Sequence, residues 1–161
     1  MIGLPLTLVI TLTLALVFYF QTKSINFLQN SIIYMVMTIF TTNVLTILSL
    51  NLKWITPTDH PFIFPAYLLY RDGIIPLLIL IFVNGFYTTK GLRIRAIYFF
   101  ICFICLHAME VLLLQYKIIE YLKWKWLFSA ITNVGYLMMG LFIVKMLLYV
   151  VKGRPKNDSR I

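Results

Sequence analysis

Residues 96–115 read AIYFFICFICLHAMEVLLLQ, twenty positions in which the only residue carrying a full charge at neutral pH is Glu110. At about 1.5 Å per residue such a run covers roughly 30 Å, the thickness of a bilayer's hydrocarbon core. It reads as a transmembrane helix with an acid well inside it. Four further apolar runs flank it, at residues 2–20, 31–50, 73–87 and 127–151. The expected fold class is therefore all-α: an integral membrane bundle of five transmembrane helices. Residues 1–161 form one transmembrane domain that ends in a short basic cytoplasmic tail, 152–161.

Composition agrees with that reading. Of 161 residues, 61% are hydrophobic and only 12% charged, against roughly 25% charged in a soluble domain. The mean hydropathy is +0.93. A soluble fold of this size could not hide so much apolar surface, which excludes a soluble enzyme. The first run lacks a basic leader and a small-residue cleavage site, so it reads as an uncleaved span. The third run is the shortest. PFIFPAYLLY, residues 61–70, could lend it length, but the prolines at 61 and 65 favour an interfacial segment that leads into that span.

Lys and Arg total 14 against five Asp and Glu. They fall in short segments between apolar runs, as cytoplasmic loops and headgroup contacts require, and no run suits nucleic acid. One set of alternate connections, with the tail, holds Lys23, Lys90, Arg93, Arg95, Lys152, Arg154, Lys156 and Arg160. The other holds Lys53, Arg71, Lys117, Lys123 and Lys125. The excess puts the amino terminus outside and the carboxy terminus in the cytoplasm. Trp54, Trp124 and Trp126 then all fall at the outer boundary, where interfacial aromatics belong.

Glu110 is the residue most in need of explanation. A carboxylate in hydrocarbon must be protonated, paired or turned to a polar cavity. His107, three positions earlier, shares its helical face. Asn133, Thr132 and Thr46 come to similar depth on neighbouring spans, with Arg71 and Asp72 expected at the outer rim above them. These residues sketch an outward-facing polar pocket, or else a set of bonds that holds the bundle together. Hydroxyl and small residues form stripes in the second span (Ser31, Thr38, Thr41, Thr42, Thr46, Ser49) and the fifth (Ser129, Thr132, Asn133, Tyr136, Gly140). Such stripes serve as packing seams or line a path.

Other chemistry finds little support. Cys102 and Cys105 lie near mid-bilayer without a second pair to exchange with. His107 and Glu110 alone are too few for a closed metal site. No catalytic set, phosphate loop or dinucleotide turn is present, so no catalytic residue, metal or cofactor is expected.

From residue 59 onward the order of features is distinctive. Asp59-His60-Pro61 precedes an apolar approach with Pro65 and Pro76, then a basic hinge and the span with Glu110. Ile118-Ile119-Glu120-Tyr121, Trp124-x-Trp126 and a last span opening on Ser129 follow. Over residues 59–151 this resembles small uncharacterised multi-pass membrane proteins of low-GC, often spore-forming, Gram-positive bacteria. The resemblance implies a bacterial cell-membrane protein and carries no activity with it.

The functional expectation is a non-enzymatic membrane component that binds a partner, senses or serves the envelope. Its partners would be the bilayer and another membrane protein or a second copy. The alternative is a small proton-coupled transporter centred on Glu110. A thiol–quinone oxidoreductase using Cys102 and Cys105 comes third.

Overall fold

The computed structural model describes residues 3–152; residues 153–161 of the basic tail lie outside the described residues. Five helices are long and apolar enough to cross a membrane: α1 (Gly3–Phe20), α2 (Phe27–Asn51), α3 (Phe64–Thr88), α4 (Leu92–Gln115) and α5 (Trp126–Lys152). They form an all-α bundle. Two short strands, β1 (Ile55–Pro57) and β2 (Ile119–Tyr121), pair antiparallel with Ile55 opposite Tyr121.

The shortest run of the sequence turns out to be the central helix. The most apolar window of α3 is 61% buried, that of α1 only 11%. Ile74, Ile75, Ile79, Phe82 and Val83 of α3 are fully enclosed, with α1, α2, α4 and α5 all packed against it. Lipid is as apolar as these side chains, so close approach and dispersion must hold the helices together. Glycines permit that approach. A Cβ on Gly140 of α5 would stand 2.5 Å from Ile79 Cγ2, and one on Gly85 would stand 2.6 Å from Tyr98 Cε1 of α4.

Helix α3 begins at Phe64, which corrects the expectation that residues 61–70 form an interfacial segment outside the span. Pro65 stands in the first turn, where no N–H partner is required, so it starts the helix and does not break it. Pro76 is accommodated by a widened π-turn, Tyr70–Ile74, immediately before it. Pro76 has no N–H to offer the carbonyls one turn back, and α2 supplies the missing donors. Tyr34 Oη donates to the Asp72 carbonyl at 2.8 Å, and Thr41 Oγ1 to the Arg71 carbonyl at 3.2 Å.

The strands close the end of the bundle where α4 stops. Ile118 N donates to Leu113 O (2.9 Å) and Lys117 N to Leu114 O (3.1 Å) around a left-handed Lys117, φ 53°. This Schellman arrangement satisfies the last carbonyls and turns the chain into β2. Leu122 N then donates to Trp54 O at 2.9 Å, and Thr58 N to Ile118 O at 2.9 Å. Two connections far apart in sequence thus become one cap. Ile55, Ile118, Ile119 and Trp124 point inward from it and are buried. Leu122 and Trp126, beside them, stay exposed.

Candidate functional site

Glu110 lies five residues before the end of α4, beneath this cap, and is 7% exposed. Its Oε1 accepts hydrogen bonds from Tyr121 Oη and from Ser129 Oγ, the latter at 2.7 Å. Oε2 accepts a long bond from Asn133 Nδ2 at 3.5 Å. Ser129 Oγ in turn accepts from Trp124 Nε1 at 2.7 Å and lies 2.9 Å from Tyr121 Oη. His107 Nδ1 stands 3.8 Å from Oε2, beyond hydrogen-bond reach, and has no hydrogen-bond partner. The imidazole is stacked on Phe103 and meets Trp126 edge-on at 5.4 Å.

Each position has a local cause. One turn of α4 puts His107 and Glu110 on one face, and one turn of α5 does the same for Ser129 and Asn133. Tyr121 arrives through the strand pairing, which sets its side chain opposite that of Ile55. Trp124 is held by its own N–H on Trp54 O (3.3 Å) and by the rings of Trp54 and Phe128 at 5.9 and 5.5 Å. Burial and the bond to Glu110 both raise the proton affinity of the Tyr121 phenol above its usual value.

The donor count shows what the arrangement suits. Tyr121 and Ser129 have one hydroxyl hydrogen each, and Trp124 occupies a lone pair of Ser129. The serine hydrogen is therefore free to point at Glu110, and the amide of Asn133 also presents hydrogens. The carboxyl oxygens of Glu110 offer lone pairs to all three.

Of the residues nominated from the sequence, Glu110, His107 and Asn133 come together here. Thr132 and Thr46 are half-buried, and neither hydrogen-bonds to Glu110. Arg71 and Asp72 are not rim partners of Glu110. They sit about two turns inside α3, in the π-turn, and pair with each other at 2.7 Å (Nε–Oδ1) and 2.9 Å (Nη2–Oδ2). Thr42 Oγ1 of α2 adds a bond to Asp72 Oδ1 at 2.9 Å. The starting point of α3 explains the shift: a helix that begins at Phe64 carries residues 71 and 72 into the span. Of the hydroxyls in the α2 stripe, Ser31, Thr38, Thr41 and Ser49 bond back to carbonyls four residues earlier. Thr41 and Thr42 also cross to α3.

Tyr121 and Trp124 were not nominated, because their approach depends on pairing across more than sixty residues. Ser129 was read as part of a stripe and not as a ligand of the acid. Cys102 is buried and Cys105 exposed, both as free thiols. No group of three or more metal-ligating side chains occurs among the described residues. No protein-family model matches the chain, and no curated protein or solved structure matches it either.

Proposed function

We propose that the chain is a non-enzymatic multi-pass protein of a bacterial cytoplasmic membrane, a binding, sensory or envelope-associated component in which the Glu110 cluster is a clasp. The observation that carries this reading is the direction of the hydrogen bonds. Tyr121 from the cap, Ser129 and Asn133 from α5 and Trp124 through Ser129 all converge on one carboxyl of α4. The acid thereby joins two helices and a strand, and its Oε1 is taken up by two donors from within the protein. The amino terminus lies outside and the carboxy terminus in the cytoplasm, which places the cap on the outer face. With Arg71 now inside α3, the outer connections keep only Lys53, Lys117, Lys123 and Lys125, which sharpens the positive-inside bias.

A second reading, the proton-coupled transporter, draws on His107. Its Nδ1 faces Glu110 at 3.8 Å without a hydrogen-bond partner, and the side chain is 30% exposed. Tyr136 Oη, on the same face of α5 as Asn133, is also buried and unpartnered. In this reading a proton passes between His107 and Glu110.

Reconstituted vesicles holding a pH-sensitive dye separate the two. The clasp predicts no proton flux above empty vesicles in the wild-type protein, together with a lowered melting temperature for Glu110→Gln. A flux present in the wild type and abolished in a folded Glu110→Gln variant would reverse the choice.

A further inference from the structure

We propose that the groove between α1 and α2 seats one acyl chain of an anionic glycerophospholipid, with the headgroup phosphate held by Lys23. This rests on a different part of the molecule from the Glu110 cluster and is independent of it.

Helices α1 and α2 are neighbours in sequence yet scarcely touch. Each docks on α3, and the space between them stays open to the side, floored by α3. Two cavities occupy it, of about 580 and 500 Å³. They share Tyr34 and Leu77 in their walls and so adjoin. The first is lined by Ala15, Phe18, Met35 and Leu80, and the second continues along α3 to Leu68. From Leu68 to Leu80 is about 18 Å of helix, roughly half the hydrocarbon core and so the depth of one leaflet.

The mouth of the groove is held in place. Gln21 Nε2 donates to Ile81 O at 2.9 Å, Ser24 Oγ to Asn84 O at 3.3 Å, and Asn84 Nδ2 to Asn30 Oδ1 at 2.8 Å. These bonds pin the α1–α2 connection to α3. The other polar groups of the lining are matched as well: Asn30 Nδ2 donates to Ile25 O and Ser31 Oγ to Phe27 O, and Asp72, in the wall of the second cavity, is paired with Arg71 and Thr42.

Lys23 remains as the free charge of the mouth. Its Nζ sits 4.9 Å from the Phe18 ring and 5.7 Å from the Tyr19 ring, both of which line the cavity. The surrounding end of the bundle carries Lys90, Arg93 and Arg95 and, among the described residues, no acid. The first turn of α2 opens here as well and adds the positive end of its dipole. A deep apolar slot under a cationic rim fits a lipid tail beneath an anionic headgroup. A zwitterionic lipid shares the tail and the phosphate but brings its own cation to a rim that is already positive, and a soluble anion gains nothing from the slot.

The test is native mass spectrometry of the full chain in detergent, titrated with phosphatidylglycerol and with phosphatidylcholine of matched chains. Phosphatidylglycerol should be retained as one molecule per chain in clear preference to phosphatidylcholine. Lys23→Ala should weaken it about fivefold, the worth of one cation at an anionic surface, with no change in melting temperature. Ala15→Trp, which fills the slot, should weaken both lipids, and Lys125→Ala, an exposed cation at the opposite end of the bundle, should change neither. Equal binding of the two lipids would overturn the proposal, as would a Lys125→Ala effect equal to that of Lys23→Ala. Displacement of the lipid by millimolar inorganic phosphate would also overturn it, because the slot would then contribute nothing.

Discussion

Ser129 Oγ stands 2.7 Å from Glu110 Oε1 and 2.7 Å from Trp124 Nε1. The indole can only donate, so the serine accepts there and passes its own hydrogen to the acid. One hydroxyl thus links the cap, α5 and the carboxyl of α4.

Removal of that hydroxyl should leave the indole N–H and a carboxylate lone pair buried and unmatched. Ser129→Ala is expected to cost about 1–3 kcal/mol, read from thermal unfolding in detergent. Tyr121→Phe should cost a similar amount. Because both residues share Oε1, the double variant should depart from additivity by about 0.5–3 kcal/mol. Simple additivity would show that the two act on separate partners.

The Tyr121 phenol gives the cap a pH dependence. Burial first, and the hydrogen bond to Glu110 second, raise its proton affinity above the ordinary value near 10. Between the unfolded and folded titrations the folded state holds the extra proton, so stability falls as pH rises. The contribution is complete below about pH 10 and is lost as pH climbs beyond it. Melting temperatures measured in detergent from about pH 8 to pH 11 should therefore decline more steeply for the wild type than for Tyr121→Phe.

Much of this could be read from the residues alone, and the failures have physical reasons. Hydropathy finds the spans because lipid imposes a length on them. Glu110 stands out because an acid in hydrocarbon demands partners, and its helical neighbour His107 follows from spacing. Asn133 does reach the acid, as depth along α5 suggests. Tyr121 and Trp124 were hidden, because β1 and β2 meet across a long sequence separation and a three-residue strand carries almost no pattern. Pro65 misled because a proline reads as a break, whereas in a helix's first turn it costs nothing. That single reading displaced Arg71 and Asp72 from the span to the rim.

The Arg71–Asp72 pair makes its own prediction. Arg71→Leu strands a carboxylate inside the span, and Asp72→Leu strands a guanidinium. Replacing both by Leu should destabilise less than either single change, measured again by unfolding in detergent. A double variant worse than both singles would mean that each charge has a partner beyond the other.

Gly140 tests the packing of α5 on α3. A methyl group there would press on Ile79 Cγ2, a stiff branched side chain with no exposed surface. Gly140→Ala should cost about 1–3 kcal/mol by overpacking. Gly135, whose Cβ would meet nothing within 4 Å, should accept Ala without loss, and the pair of variants is read on the same melting curves.

The clasp itself is tested most directly by an apolar carbodiimide, which modifies protonated carboxyl groups in apolar surroundings. The intact protein is treated in membranes near neutral pH, and the modified sites are mapped by mass spectrometry. A carboxylate that accepts from Tyr121, Ser129 and Asn133 should leave Glu110 unlabelled in the wild type. Labelling should appear in the Tyr121→Phe, Ser129→Ala double variant, where those donors are gone. Full labelling of Glu110 in the wild-type protein would contradict the clasp and leave the acid free to carry a proton.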